Sequence, residues 1–507
     1  MTTLALMSLS DMREKGIITQ EEYDSAMHEL IETSGRQASD GVSLMVGKWS
    51  TTLYGFVDAD AIYDSTGSFQ DLAGNSLVSR PGTYLGDNPR TQFSIRNSRI
   101  GFLMRAPQYH DVRASARIEM DFLGSNSTPE ANSQAITNGA ANAALPSEAN
   151  FFTSPEPRIR HLFLKVENPV IDALFGQTWH LFGWQDAYHP NTVQYQGVPG
   201  ELYSRTPQIR LSKTAKSEDV TFDIAVAALR PPQRDSAVPE GAAALHFAIN
   251  KWTGVQTQGA TGTGIMPASI AVSGDLRSFA LPNYNTSASN SDQYTSERAC
   301  GAVAVDAFIP VIPGDKAHMG NSLSILGEFV DGTGMADLYT GLTGGVGSPT
   351  LPATISAVTT TTNKAGAGAA GVASGTSETV VTSTTPAPLV DPGLVYYDNN
   401  PTATGNHTVH FIQWMTIRGG LQYYLPGLDG KMWLSGNVAY VASNNDAQFG
   451  ISPATTLKYM DWFDVNLMGD ITPAVRLGVE YANYSQHYND GIMAVDHRVQ
   501  GSAFYIF

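Results

Sequence analysis

Charged residues are scarce in this chain. Lysine, arginine, aspartate and glutamate make up 15% of its 507 residues, whereas an average soluble domain holds about 25%. No run of about 18 apolar residues occurs, which excludes a transmembrane helix. The single cysteine, Cys300, excludes an internal disulfide. The net charge of −17 offers no clustered basic surface, so we expect no nucleic-acid partner.

Sequence signatures of catalysis are also missing. The chain has no G-x-S-x-G elbow, no H-E-x-x-H helix and no glycine loop that would cradle a phosphate. His161, His180 and His189 lack metal-ligand spacing. Asp58 and Asp60 share one face of a strand, but further ligands are not evident. We therefore expect no enzymatic activity, no metal and no cofactor.

The chain instead shows alternation of apolar and polar residues. In residues 111–123 every second residue from Val112 to Phe122 is apolar, and charged or small polar residues lie between them. A period of two predicts strands, and segments 218–230, 300–310 and 474–488 repeat it. A sandwich interior could not hold these charges. Several segments reach the roughly 9–11 residues that span a bilayer at a tilt, which favours a transmembrane barrel over a soluble sheet.

The strand pattern predicts an all-β protein, a transmembrane antiparallel β-barrel of about 16 strands over residues 48–507. Connections alternate between short turns and long loops, as in outer-membrane barrels. The longest loop, 333–406, is expected on the cell exterior. The predicted strands are 51–64, 91–105, 111–123, 158–167, 172–179, 203–213, 218–230, 243–252, 268–279, 300–310, 321–332, 407–424, 431–443, 458–471, 474–488 and 493–507.

Residues 1–47 differ from the rest of the chain. Apolar residues from Leu4 to Met12 recur at helical spacing, and Thr19 with Glu22 forms a capping box before a second apolar stripe. We predict a short α-helical segment on the periplasmic side, followed by a linker over 34–47. The apolar stretch Leu4–Met7 is too short for a secretory signal, so a signal peptide is not visible in this chain.

The final strand runs to the terminal residue and ends on aromatic-x-aromatic. This ending is typical of a chain that closes a barrel in lipid, with the rings at the interface. Gln500, Gly501, Tyr505 and Phe507 resemble the closing signal of bacterial outer-membrane proteins, although the glycine lies one place early. Aromatic residues near strand ends are predicted to form belts at the membrane interfaces: Tyr54, Trp414, Tyr423, Tyr424, Trp433 and Tyr505.

Several motifs resemble those of one family. L-Y-G-F-V-D-A at 53–59 and S-R-I-G-F at 98–102 resemble the opening strands of Gram-negative trimeric porins. Three later segments are similar to the DcaP-like porins: R-H-L-F at 160–163, F-G-Q-T-W at 175–179 and P-Q-I-R at 207–210. The resemblance implies a homotrimer in the outer membrane of a Gram-negative bacterium, in contact with membrane lipid and lipopolysaccharide.

The resemblance also implies a constriction. The third extracellular loop of such porins folds into the pore; by position it is 180–202 here, with Asp186, His189 and Glu201. Arg99 and Arg160 match porin eyelet arginines, although Leu162 and Leu164 confuse the phase of the Arg160 strand. Alternation turns further charged residues inward: Arg113, Arg117, Arg210, Arg476 and Arg498, with Glu119, Asp121 and Glu480. Either these arginines face the loop and attract anions, or they pair with the carboxylates and keep the interior wet.

The leading hypothesis is an outer-membrane porin, a water-filled channel for passive diffusion of small polar solutes that favours anionic ones such as carboxylates. One alternative is a surface-exposed β-rich adhesin or structural outer-membrane protein without a transport role. Another is a barrel enzyme with a hydrolase site on its lipid face. Such an enzyme would need serine, histidine and a carboxylate or amide on outward positions, which are apolar here.

Overall fold

A computed structural model of the chain describes residues 49–507 apart from 69–70, 73–77, 125–152, 154, 195–197, 233–235, 283–294, 343–357, 365–377, 386–392, 398–408 and 450–455, together with residues 7–8, 19 and 42–46. A closed barrel of 16 antiparallel strands dominates the described residues. The strands are β1 Trp49–Asp64, β2 Arg90–Ser94 and Arg99–Arg105, β3 Arg113–Asp121, β4 Arg158–Glu167, β5 Asp172–Trp179, β6 Arg205–Lys216, β7 Val220–Leu229, β8 Glu240–Gln258, β9 Gly262–Pro282, β10 Thr295–Ile312, β11 Leu323–Thr333, β12 Gln413–Tyr424, β13 Met432–Ser443, β14 Leu457–Thr472, β15 Val475–Tyr488 and β16 Met493–Ile506.

The barrel closes between its first and last strands. β16 pairs with β1 from Arg498 opposite Asp64 to Ile506 opposite Phe56. Each other strand pairs with its sequence neighbour, so the sheet closes on itself. The predicted all-β barrel is therefore confirmed. Short turns join the strands at one end, the short-turn end, and longer connections join them at the other, the long-loop end.

The predicted alternation becomes two faces of one sheet. On β15, Leu477, Val479 and Tyr481 are 46%, 56% and 41% exposed, whereas Arg476 and Glu480 are 4% and 0% exposed. The outer face is thus apolar, as a lipid-facing surface requires, and polar side chains point into the barrel. No helix in the described part of the chain has the length and apolar character needed to cross a membrane.

The prediction of aromatic belts is wrong for four of its six residues. Trp414, Tyr424 and Trp433 are fully buried and Tyr54 nearly so. Parity explains this: Trp414 and Tyr424 share the inward face of β12 with polar residues, and Trp433 begins the same face of β13. Of the other two, Tyr505 lies on the outer face and is half-exposed, and Tyr423 is half-buried.

The amino-terminal segment departs from its prediction where it is described. Met7–Ser8 forms a strand instead of a helix, and Val42–Val46 forms a strand instead of a linker. These strands pair with each other, and Val42–Val46 also pairs with the start of β1. That start extends beyond the end of β16, so its free edge can accept a strand rich in valine and leucine. The rest of the predicted helical segment lies outside the described residues.

β8 and β9 are the longest strands, with 19 and 21 residues. Their pairing shifts register between Ile249 and Thr253. Beyond this bulge, residues 254–264 are all buried, although they form the tip at the short-turn end. The ribbon Thr253–Pro267, here called the inner hairpin, therefore bends into the barrel. The strand prediction included neither half of it.

Two short strand pairs lie in the predicted long loop 333–406 and just after it. Val358–Lys364 pairs with Glu378–Thr385, and Val395–Tyr397 pairs with Val409–Phe411. Residues 334–342, which precede them, return over the barrel interior and include a short 3-10 turn at Ala336–Leu338. Much of the remainder of this loop lies outside the described residues.

Candidate solute pore

Residues 180–202, here called the inward loop, leave the end of β5 and enter the barrel. The loop contains one short helix, α1 Gln185–Tyr188. Near its start the Gly183 amide donates to Ser273 Oγ of β9 at 2.8 Å. Further on, Arg418 of β12 donates to the Tyr188 carbonyl at 3.0 Å. The loop is thus held by strands on several sides of the interior. Residues 195–197 of this loop are not among the described residues.

The tip of the inward loop docks on β13–β15. Asn437 donates to the Asn191 carbonyl at 2.7 Å, and the Gln194 amide donates to Glu480 Oε2 at 3.0 Å. The Thr192 hydroxyl donates to the same oxygen. Glu480, expected among the pore-lining residues, is fully buried and anchors the loop.

The inner hairpin meets the inward loop from the short-turn end. The Gly259 amide donates to the Pro190 carbonyl at 2.8 Å, and Asn191 donates to the Gly259 carbonyl at 2.6 Å. On the far side Arg476 of β15 donates to the Ala260 carbonyl and to Thr263 Oγ1, both at 3.0 Å. Arg476 therefore holds the hairpin and is itself covered by it.

A cluster of charges lies on the inward face of β2–β6, here called the basic wall. Glu119 receives three guanidinium groups, with Arg117 at 2.6 Å, Arg160 at 2.9 Å and Arg99 at 3.4 Å. Asp121 pairs with Arg158 at 2.7 Å and with Arg160 at 3.2 Å. Arg99, Arg117 and Arg160 are thus paired with Glu119 and Asp121, as the second interpretation predicts for these residues. The wall also contains Arg205, so five arginines face two carboxylates, an excess of three positive charges.

A β-bulge brings Arg160 to this wall. Glu119 pairs with His161 but the next residue, Met120, pairs with Ile159, so Arg160 is the extra residue. Arg160 and His161 are consequently both buried on the inner side, at 1% exposure each. The bulge explains why Leu162 and Leu164, which are exposed, seemed to share the face of Arg160.

The remaining predicted arginines lie in different surroundings. Arg498 pairs with Asp64 at 2.7 Å, and both are buried. Arg113 lies at the short-turn end with 57% of its side chain exposed. Arg210 is half-buried and donates to the Trp179 carbonyl at 2.6 Å.

The three charged residues predicted on the inward loop differ in their burial. His189 Nδ1 donates to Glu201 Oε1 at 2.5 Å, and both residues are buried. Asp186, in the first turn of α1, is half-buried.

The residues of the closing signal lie along the seam between β16 and β1. The backbones of Phe507 and Gly55 exchange two hydrogen bonds, at 2.9 and 3.0 Å. A Cβ at Gly55 would lie 2.8 Å from the Phe507 ring, so only glycine admits this ring. Gln500 points inward and donates to Asp60 at 3.0 Å. Gly501 and Tyr505 lie on the opposite, outer face.

Among the described residues, the part of the inner face opposite β12–β15 is the more accessible one. On β12–β15 the inward residues Tyr424, Trp433, Asn466 and Glu480 are buried under the inward loop and inner hairpin. On β6–β8 three inward residues, Arg210, Asp223 and His246, stay half-buried. Other inward residues of these strands, such as Ala225 and Ala244, are buried in a cluster with Leu181 and against Trp184 of the inward loop. His246 donates to Asp223 at 2.8 Å and stacks on Trp184 of the inward loop at 5.4 Å. Water can therefore reach the inner face of β6–β8 at Arg210, Asp223 and His246, and this part of the wall is here called the open side.

Sequence reasoning missed Arg158 and Arg205 of the basic wall. Arg205 falls on the outward parity of β6, where Pro207 and Ile209 are exposed. Its guanidinium nevertheless contacts Trp179 and Tyr203, and both rings also contact His189 of the inward loop. A cation next to aromatic residues at a strand end was the available signal.

One described cluster has the composition of a metal site, His180 with Glu240 and Asp275. His180 and Glu240 are engaged in hydrogen bonds, whereas neither oxygen of Asp275 accepts one in the described structure. His180 Nδ1 accepts the Phe182 amide at 3.1 Å, so its Nε2 carries the proton and donates to Glu240 at 3.0 Å. Arg277 lies 2.8 Å from Glu240 and 3.2 Å from Asp275. The same guanidinium also pairs with Asp337. His180 ties the cluster to the start of the inward loop through the Phe182 amide.

A closed barrel of 16 antiparallel strands, with an apolar outer face, short turns at one end and a loop folded inside, is the fold of the outer-membrane porins. The fold places the chain in a Gram-negative outer membrane.

The chain is similar in structure to the outer membrane channel DcaP of Acinetobacter baumannii. The TM-score is 0.58 at 17% identity, over 91% of this chain and 99% of that one. OmpT of Vibrio cholerae in its trimer form has a TM-score of 0.45 at 10% identity, over 90% and 99% of the two chains. An anion-selective porin from Comamonas acidovorans has a TM-score of 0.44 at 8% identity, over 90% and 100%. No family model and no curated protein matches the chain. At these identities the likeness concerns the fold.

Proposed function

We propose that this chain forms a diffusion channel, a water-filled porin that passes small polar solutes and favours anionic ones such as carboxylates. The observation that carries the proposal is the basic wall beside the open side of a closed barrel. Solutes would pass beside Arg210, Asp223 and His246 of the open side, where polar side chains remain accessible to water. The chain would act by passage alone, without catalysis.

The preference for anions follows from local charge. The chain carries −17 overall, but a charge acts weakly beyond a Debye length of about 10 Å at 0.1 M salt. Three excess positive charges about 10 Å from a solute contribute roughly 1.2 kcal/mol in water before screening. About a third of this remains at 0.1 M salt, enough to enrich anions about twofold and to deplete cations equally.

The assembly is expected to be a homotrimer in contact with membrane lipid and lipopolysaccharide. Two features support the lipid contact, an apolar outer face around the barrel and the half-exposed Tyr505 near the end of β16. The trimer form of OmpT, which has a similar fold, motivates the number of subunits. Cross-linking of the detergent-extracted protein would give the subunit count directly.

The test is conductance in a planar bilayer under a tenfold gradient of potassium chloride. We expect current steps in groups of three and a reversal potential on the anion-selective side. Arg99→Ala should move this potential towards zero, because it removes one of the five arginines of the basic wall. Arg113→Ala is the matched control, since it removes the same charge from an exposed position at the short-turn end.

Two results would overturn the proposal. A silent bilayer from protein that is correctly folded would leave the adhesin or structural alternative. A cation-selective channel would retain the porin but refute the role of the basic wall.

A further inference from the structure

The guanidinium of Arg205 is held by contacts with two aromatic rings. Arg205 begins β6 opposite Trp179, the last residue of β5. Its guanidinium carbon lies 5.2 Å from the centre of the Trp179 ring and 5.4 Å from that of Tyr203. The two rings contact each other at 4.8 Å, and Tyr203 stacks on His189 of the inward loop at 5.3 Å. Aromatic contacts of this kind fix the plane of a guanidinium and leave its N–H edges free for a ligand.

The N–H groups of Arg205 have no acceptor among the residues that the structure describes. Its Nη1 is buried without a hydrogen-bond partner, while the side chain as a whole is only half-buried. Arg99, Arg117, Arg158 and Arg160 each reach a carboxylate of the wall. Burying a cationic donor without an acceptor is costly, so the position of Arg205 is suited to an acceptor that comes and goes.

The surroundings of Arg205 specify the charge of that acceptor. Arg160 donates to the Tyr203 hydroxyl at 3.3 Å and lies over the Trp179 ring at 5.4 Å, so a second guanidinium contacts the same two aromatic residues. Arg158 pairs with Asp121 and keeps 27% of its side chain exposed. The guanidinium groups of Arg158, Arg160 and Arg205 thus lie around a single carboxylate, that of Asp121, at this end of the wall. An anion would be stabilised here and a cation repelled.

We propose that Arg205 binds the carboxylate group of a permeating solute, with Trp179 and Tyr203 orienting its guanidinium. The inference rests on the proposed function as a porin. The fork of an arginine matches the two oxygens of a planar carboxylate, a geometry that a chloride ion cannot use. Arg205 would therefore discriminate among anions, whereas the paired arginines of the wall supply only a general field.

The experiment uses acetate as the probe and compares wild type with Arg205→Gln and Arg205→Lys. Acetate is added to a channel that conducts chloride, and the apparent affinity is read from the fall in chloride current. Losing a bidentate, charge-assisted contact should weaken acetate binding about tenfold in Arg205→Gln. Arg205→Lys should keep the chloride selectivity and still lose most of the acetate affinity, because it retains the charge without the fork.

Arg113→Gln is the matched control, and heat-modified gel mobility checks folding of each variant. If Arg205→Gln does not fold, the lysine variant decides. Unchanged acetate affinity in a conducting, folded variant would overturn the assignment of Arg205 and leave the porin proposal intact. A silent wild-type channel would overturn the porin proposal and the Arg205 site together.

Discussion

Neutralising Glu119 is predicted to make the channel more anion-selective. Glu119 is 1% exposed and joins Arg99, Arg117 and Arg160. Glu119→Gln keeps the shape and one acceptor oxygen but raises the excess of positive charge on the basic wall from three to four. One added charge about 10 Å from a solute is worth roughly 0.4 kcal/mol in water.

Because this energy has opposite signs for anions and cations, the permeability ratio should rise about fourfold at low salt. It should rise less than twofold at 0.1 M salt, where the Debye length is about 10 Å. The same substitution should destabilise the barrel by about 3–5 kcal/mol, since it breaks a buried ionic network.

The assay is the reversal potential at two salt concentrations, combined with thermal unfolding in detergent. Glu167→Gln is the matched control, because Glu167 is a partly exposed carboxylate at the short-turn end, 3.3 Å from Lys165 and 3.9 Å from Arg113. An unchanged permeability ratio at low salt in a folded Glu119→Gln channel would refute the reasoning. It would mean that the basic wall does not face the path of the ions.

Three further predictions follow from separate features. Replacing residues 254–266 by Asn-Gly should raise the single-channel conductance, because a two-stranded ribbon about 10 Å wide and 10 Å thick leaves the interior; deletion of 316–317 in an exposed turn is the control. Gly101→Ala should lower the unfolding temperature, because a Cβ there would lie 2.3 Å from the Tyr54 ring; Gly241→Ala is the control, because a Cβ at this strand glycine meets no atom within 4 Å. Burial raises the pKa of Asp446 from 3.8 to about 7. In the folded protein, the loop between β13 and β14 therefore keeps a proton on Asp446 that the unfolded chain releases near pH 4. The stability of this loop should fall as pH rises through 7. Limited proteolysis at pH 5 and pH 8 should show this difference in wild type and not in Asp446→Asn.

The strands could be predicted because their signal is local. On β15 and β16 every inward polar residue is followed by an outward residue, so parity alone separates Arg476 and Arg498 from Leu477 and Val499. The same parity rule could have corrected the aromatic belts, since Trp414 shares its face with Arg418. The belt prediction rested on the position of each ring near a strand end and did not use the face of the strand on which it lies.

The interior was less predictable, because it depends on contacts between distant residues. The bulge at Arg160 is set by pairing with β3, which leaves no mark in the sequence of β4. The inner hairpin is rich in glycine, threonine and glutamine, a composition that predicts a loop. Its burial depends on distant residues, among them Asn191 of the inward loop, Gln422 of β12 and Arg476 of β15. Arg205 was missed because aromatic contacts override its parity.

The inner hairpin also constrains the order in which this barrel can assemble. Its tip lies within the closed ring and bonds to Arg476 of β15, one strand before the seam. The seam itself is the pairing of β16 with β1, completed by Phe507 against Gly55. A buried ribbon that touches both the inward loop and β15 fits most simply inside a sheet that is still open. Closure by the last strand would then be the final step of folding, around an interior that is already filled.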